Sequence, residues 1–338
     1  MKRVYSNNVI WSVIILIFLG TGCHRNKINT NDLKENNLIG KVKSTRENTY
    51  KATDNSGKVV KGEKLSTLFY LFNEKGNIID ENDYSSDTII NSSLKHKYDD
   101  QGNKIEKNRF RSDGSLDYKW TFKYDENGNK IEDNWYRSDG SVDYKITYLH
   151  DAKGNKIEEN YYDLDGNIDN KWTFKYDDNG NEIEEIRFFN GELVNKWTFR
   201  YNDKRNKIEE SRFNSKVKLD YKWTFKYNNK GYKIEEIRLN SDESLESKWT
   251  FRYDDKGNRV ERIKFSSDGK IDYSLLFKYD EKGNKTEENR LNSDGQSDYK
   301  WTFKYEYDNN NNWIKRTDYN GEFPEFIIER EISYYTGT

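Results

Sequence analysis

Leu116-Asp117-Tyr118-Lys119-Trp120-Thr121-Phe122-Lys123-Tyr124, followed by Asp125-Glu126-Asn127-Gly128-Asn129, is the stretch that decides the fold. Leu116, Tyr118, Trp120, Phe122 and Tyr124 fall at every second position, and Asp117, Lys119, Thr121 and Lys123 fall between them. A period of two with aromatic enrichment describes a β-strand with one covered face. The segment that follows is a turn, because an Asp side chain accepts from backbone amides ahead of it and Gly takes positive φ at little cost. A second strand runs from Lys130 to Tyr136, and a second turn, Ser138-Asp139-Gly140-Ser141, leads on.

The same pattern recurs along the chain. Turn glycines stand at Gly76, Gly102, Gly128, Gly154, Gly180, Gly231, Gly257 and Gly283, spaced by 26 residues except where Gly180 to Gly231 spans two units with Arg205 in the glycine place. A further unit has Asn311 there, after a two-residue insertion. A period held this long marks a repeat architecture. A lone two-stranded hairpin is marginal in water, so each unit must stack on its neighbours. The expectation is an all-β protein, a coiled antiparallel β-meander or solenoid of about ten 26-residue hairpin repeats, its aromatic face turned inward as a continuous core.

Register within the unit is less plain. A four-residue first turn would set Phe122 against Ile131 and Thr121 against Glu132, with Glu132 diagonal to Lys119 and Lys123; a three-residue turn would set Phe122 against Glu132. Apolar pairing favours four. Yet Ile131 and Tyr136 are five apart and so point to opposite faces. Either strand two bulges near its acidic pair or its end is covered on both sides.

Tyr-Asp-x-x-Gly-Asn, present at Tyr98-Asp99/Gly102-Asn103, Tyr124-Asp125/Gly128-Asn129, Tyr176-Asp177/Gly180-Asn181, Tyr253-Asp254/Gly257-Asn258 and Tyr279-Asp280/Gly283-Asn284, resembles the YD repeat of the Rhs family. The resemblance covers roughly residues 65–320 and departs from the motif at Tyr201-Asn202, Tyr227-Asn228 and His150-Asp151. It implies a coiled β-shell, of a kind that in some members encloses a toxin and in others is displayed on cell surfaces, where sugar binding has been suggested. The chain ends at Thr338 directly after its last strands, so toxin delivery is not expected.

Lys2 and Arg3 precede the apolar run Val9 to Leu19, then Gly20-Thr21-Gly22 and Cys23. This reads as a signal peptide, too short in its apolar part for a comfortable membrane span. Its end resembles the lipobox of bacterial lipoproteins, with Leu19 four residues before the cysteine and Gly20 in the usual leucine place. The expected organisation is a lipoprotein signal peptide at 1–22, a tether at 23–37, N-terminal capping strands at 38–72 and the YD-like hairpin array at 73–338. Cys23, the sole cysteine, is the expected lipidation site and membrane attachment.

Composition narrows function further. Charged residues make up 35% of the chain, but 26 Tyr, 17 Phe and 9 Trp contradict disorder. After removal of 1–22 the chain carries 56 basic and 60 acidic side chains, evenly interspersed, so no basic stripe invites nucleic acid. His24, His96 and His150 are scattered, which leaves little material for a metal triad or a nucleophile and base, and no metal or cofactor is expected. Acidic pairs such as Glu158-Glu159, Glu184-Glu185, Glu209-Glu210 and Glu235-Glu236 could imitate glycosidase carboxylates, but their recurrence points to a solvated ladder facing Lys. Asp163-Leu164-Asp165-Gly166-Asn167-Ile168-Asp169 alternates oxygen ligands without matching the EF-hand template, and reads as a turn.

The expected function is a non-catalytic cell-envelope lipoprotein, at the outer membrane, whose array serves binding or scaffolding toward a glycan or protein ligand. The rivals are a carbohydrate-binding surface module and a glycoside-active enzyme. Off-pattern rings, Trp135 and Trp313, are the expected ligand contacts. Replacing Cys23 by Ser should yield a protein without acyl chains that leaves the detergent phase, as mass spectrometry and phase partition would show. Acylated mutant protein would sink the attachment reading.

Overall fold

The computed structural model describes residues 31–85 and 89–336. A one-turn helix, α1 (Asp32–Glu35), precedes 22 strands. They are β1 (Val42–Asn55), β2 (Lys58–Phe72), β3 (Ile78–Tyr84), β4 (Ile90–Tyr98), β5 (Lys104–Phe110), β6 (Leu116–Tyr124), β7 (Lys130–Arg137) and β8 (Val142–His150). Then come β9 (Lys156–Tyr162), β10 (Ile168–Tyr176), β11 (Glu182–Phe189), β12 (Glu192–Tyr201), β13 (Lys207–Asn214), β14 (Leu219–Tyr227) and β15 (Lys233–Asn240). The last are β16 (Leu245–Tyr253), β17 (Arg259–Phe265), β18 (Ile271–Tyr279), β19 (Lys285–Asn292), β20 (Ser297–Tyr307), β21 (Trp313–Asn320) and β22 (Phe323–Tyr334).

Each strand pairs antiparallel with its sequence neighbours, and β1 also pairs with β22, setting Thr45 opposite Ile332 and Lys51 opposite Phe326. The sheet is therefore a closed barrel: the antiparallel meander expected from the sequence closes on itself, and the solenoid alternative is corrected. An open array leaves a row of unpaired amides and carbonyls at each end, and joining the first strand to the last removes both rows. Residues 38–72, expected as capping strands, supply β1 and β2 of the wall itself. Residues 31–37, assigned above to the tether, instead lie against the barrel. Leu33 is buried with Leu38, Val42 and Phe72, and its amide donates to the Gly76 carbonyl. The signal peptide, Cys23 and residues 24–30 lie outside the described residues.

Each YD turn is built alike. The Gly128 amide donates to the Asp125 carbonyl and the Asp125 amide to the Asn129 carbonyl, closing a three-residue turn with Gly128 at φ 76°. Asp125 Oδ1 accepts from the amides of Asn127 and Asn129, and Oδ2 accepts from the Asn129 side chain. The tyrosine of the motif reaches the preceding strand: Tyr124 donates to the Lys104 carbonyl at 2.9 Å, Tyr176 to Lys156 at 2.8 Å and Tyr227 to Lys207 at 2.7 Å. Where the motif departs, Asn202 and Asn228 accept through Oδ1 as Asp does, and Arg205 and Asn311 take φ 61° and 65°.

The four-residue turn expected from apolar pairing is corrected by this geometry. Tyr124 pairs with Lys130, then Lys123 with Glu132 and Phe122 with Asp133, so strand two bulges at Ile131. The bulge near the acidic pair is thus the alternative that holds. A second bulge, at Asp117 or Asp143, sits by the other turn and carries an acid that pairs with Arg111 or Arg137. It moves Leu116 off the ring face to meet Phe110 on the opposite one.

The two wall faces differ in kind. On one, Lys97 and Lys119 flank Glu106 at 2.8 and 2.9 Å, Lys123 and Lys145 flank Glu132, and Lys226 and Lys248 flank Glu235. Hydrogen bonds from Lys97, Lys119 and Asn108 hold Glu106 down at about 2. Lys119 thus serves Glu106 of the preceding unit rather than Glu132. On the ring face desolvation dominates, pushing Tyr70, Tyr124 and Tyr227 up to about 12. The lysines Lys97, Lys123 and Lys226 of the ladder face stay about two-thirds exposed whereas Lys207 on the ring face keeps 17%, so the more covered ring face is the concave, inner one. Its rings are mostly half-buried, and each ring contact joins the same, adjacent or next-but-one strand, so among the described residues the rings line the wall instead of filling a continuous core. Among the described residues, the apolar core cluster is the one around Leu33, Leu38, Val42 and Phe72.

Tyr227→Phe should leave the Lys207 carbonyl without its partner and cost about 1–2 kcal/mol. The check is the urea midpoint, which should fall at unchanged slope; an unmoved midpoint would show the tyrosine clamp to be dispensable.

Candidate functional site

Most units of the inner wall cover their rings with cations. Arg187 lies over Trp172 at 5.4 Å, Arg212 over Trp197 at 5.5 Å, Arg238 over Tyr221 at 4.7 Å, Arg262 over Trp249 at 3.8 Å and Arg290 over Tyr273 at 4.4 Å. A lower row does the same: Lys207 lies over Phe199, and Lys233 over Phe225. The lysines are held in place by the acid three residues on, in the pairs Lys130–Asp133 at 2.8 Å, Lys207–Glu210 at 2.6 Å and Lys285–Glu288 at 2.7 Å. Cation and ring attract through the ring's negative face, and half-buried contacts of this kind each contribute about 1 kcal/mol.

Strands β7 and β9 break the rule. At the place where β11, β13, β15 and β19 carry arginine they carry Trp135 and Tyr161. The result is an unbroken ribbon of rings across β6 to β9, with Tyr118–Trp120 at 6.0 Å, Trp120–Trp135 at 5.8 Å, Trp135–Tyr144 at 5.8 Å and Tyr144–Tyr161 at 5.6 Å. Trp135 stays 38% exposed. Polar groups fringe the ribbon: Tyr148 donates to Asp133 at 2.8 Å, and Glu159 accepts from Tyr161 and Lys156. An exposed indole flanked by rings and fixed carboxylates can stack on a flat apolar ligand face and hydrogen-bond its edge.

The other expected residues fall elsewhere. Trp313 is closed off, with the Arg330 guanidinium 3.5 Å above its ring and Tyr305 at its edge. The consecutive acids are split by strand alternation: Glu132, Glu184 and Glu235 join the outer lysine ladder, whereas Asp133, Glu185 and Glu236 face inward. No such pair can flank one bond. Asp163 accepts from the Asp165 and Asn167 amides as a turn residue. His96 and His150 stand on different strands, and His24 is outside the described residues; among the latter no group of three His, Cys, Asp or Glu is placed to hold a metal.

One inner-wall feature went unread in the sequence. Glu182 stands where most units have Lys, so it meets Glu185 instead of pairing an acid with a base. Desolvation first, then the neighbouring Glu185 charge, pushes Glu182 up to about 7, against the pull of Lys156 and Lys207. Glu185 is also raised by burial, with Glu210 and Glu159 adding to it. The signal was the single Glu in a column that is otherwise basic from Lys104 to Lys285.

No protein-family model matches the chain, and no curated protein matches it. Among solved structures, the chain is similar to the crystal structure of TcdB2-TccC3-TEV, at 12% identity and TM-score 0.43, over 79% of this chain and 15% of that one. It is similar to a Tc holotoxin pore from Photorhabdus luminescens, at 12% identity and TM-score 0.33, over 90% of this chain and 20% of that one. A porin-like protein from Bacteroides uniformis matches at 9% identity and TM-score 0.32, over 86% of this chain and 98% of that one. The chain thus spans about a sixth of the length of the first toxin structure.

A carboxyl whose folded pKa lies above its unfolded value binds its proton more tightly in the folded chain. Glu182 therefore weighs little on stability near pH 4.5 and weighs most above pH 7, so the melting temperature should fall as the pH rises through that window. Glu182→Lys should flatten the fall and raise the midpoint at pH 8. Parallel melting curves at pH 5 and pH 8 for the two proteins would discard the shared-proton reading.

Proposed function

We propose that the chain is a non-catalytic binding scaffold of the bacterial cell envelope, held at the membrane by lipid on Cys23 and offering the ring ribbon of β6 to β9 as its binding surface. The single observation that carries this is Trp135, exposed and uncovered in a wall whose other tryptophans mostly sit under arginine. The charge on both wall faces supports attachment by an anchor. A barrel that spans a membrane presents an apolar band outward, whereas here Lys–Glu rows occupy one face and Lys–acid pairs the other. No helix of the described residues is long and apolar enough to cross a membrane.

The ribbon also favours the more specific reading of a carbohydrate-binding module. Its rings recur at about the length of one pyranose in an extended chain, and the fringe of Asp133, Glu159, Tyr148 and Lys156 suits hydroxyl groups. A glycoside-active enzyme finds less support, since the consecutive acids lie on opposite faces.

Trp135→Ala in the mature protein should abolish retention on oligosaccharide-coupled resin, a loss of about tenfold or more in affinity, while its half-exposed ring keeps the melting point within a few degrees. Retention equal to that of the unmodified protein would remove the ribbon from the binding surface.

A further inference from the structure

The inner wall at β4 and β5 combines two cations with a histidine. Where most units set a lysine against an acid three residues on, β5 carries Lys104 and Lys107, as β17 carries Arg259 and Arg262, but only β5 faces an imidazole where β17 faces Phe251. Directly opposite Lys107 stands His96, in the place Phe122 fills one unit later. His96 is only 8% exposed, and neither of its ring nitrogens has a hydrogen-bond partner. A neutral imidazole carries one donor and one acceptor, and buried polar atoms of this kind are ordinarily satisfied. Burial, then Lys104 and Lys107, push His96 down to about 3, so the ring is neutral near pH 7.

The lysines contact rings and, among the described residues, form no ion pair. Lys104 lies 5.6 Å over Tyr98, and Lys107 lies 5.3 Å over Trp120. Two carboxylates stand in the neighbourhood. Glu81, on β3, is itself raised by burial. Asp32, on α1, is taken up by the Ile78 amide and the Tyr98 hydroxyl. Arg109 adds a third cation further along β5 and turns toward Asp117. His96 thus stands beside two ammonium groups with its own nitrogens unpartnered, and Glu81 interacts with both lysines.

We propose that His96, Lys104 and Lys107 form a subsite for a single anionic group, and that the natural ligand is an acidic saccharide whose sugar rings lie along Trp120, Trp135, Tyr144 and Tyr161. The inference rests on the ribbon reading above, because Lys107 covers the ring at which the ribbon begins. Two lysines face Glu81 as their one neighbouring inner-wall carboxylate, and charge-assisted hydrogen bonds to a carboxylate, sulfate or phosphate would balance the second cation. A neutral imidazole can donate to the same group through one nitrogen, and an anion beside it favours its protonated form.

The test uses the mature protein with its histidines isotopically labelled. Inorganic phosphate should shift the His96 ring signals at pH 7 and raise its titration midpoint, and the Lys104→Gln/Lys107→Gln variant should lose both effects. An oligogalacturonate should bind at least about tenfold more tightly than a neutral cello-oligosaccharide of equal length, with the preference fading at high salt. Phosphate that leaves His96 untouched, with acidic and neutral oligomers bound alike, overturns the subsite even where Trp135→Ala still weakens binding. A lysine-dependent preference for the acid that survives Trp135→Ala unchanged keeps the subsite and removes the ribbon. The phosphate titration of the unmodified protein decides the matter should the double variant fail to fold.

Discussion

The hydrogen bond from each motif tyrosine to the carbonyl twenty residues earlier is the contact on which the barrel depends. A hairpin fixes only its own two strands; what sets one hairpin against the next is the ladder between them, and that ladder stops short of the YD turn. At that point the Lys104, Lys156, Lys207 and Lys233 carbonyls would face no donor, and Tyr124, Tyr176, Tyr227 and Tyr253 supply one. The neighbouring Asp and Asn serve the same end by holding the turn, so that the tyrosine leaves its strand at a constant angle. Repeating one such angle carries the wall round until β22 reaches β1.

Much of this was legible. Period-two aromatics gave the strands, and the glycine spacing gave the units. Closure was not legible, because it depends on the summed twist of 22 strands and on β1 meeting β22, neither of which any single unit encodes. The turn length was misread for a local reason: pairing Phe122 with Ile131 looks favourable only if strand two is regular, and the bulge at Ile131 shifts every later partner by one. The five-residue separation of Ile131 and Tyr136 was the mark of that bulge. Of the two off-pattern tryptophans, Trp135 lies open and Trp313 lies under Arg330, a difference that rests on an arginine more than fifteen residues away in sequence.

The inner wall explains how a chain with so few fully buried apolar residues keeps so many rings in order. A half-buried ring gains less from water exclusion than a ring in a solid core, but a cation seated on its exposed face adds attraction and itself stays partly solvated. Lysine and arginine on the inner face therefore do the covering that a second sheet would do in a sandwich. Many are kept from wandering by an acid, as Lys207 is by Glu210 and Arg316 by Asp318.

Because the covering is modular, a change at one position uncovers one ring and leaves the rest of the array standing. Exchanging arginine for Trp135 and Tyr161 opens the ribbon; exchanging lysine for Glu182 creates a proton-sharing pair; exchanging phenylalanine for His96 beside Lys104 and Lys107 leaves polar atoms waiting for a partner. All three departures lie on the inner face, where the unmodified unit satisfies itself with ring, cation and acid. A repeat that is complete in itself leaves no polar atom or ring face unused, whereas these three departures leave some, and they lie together from β4 to β11.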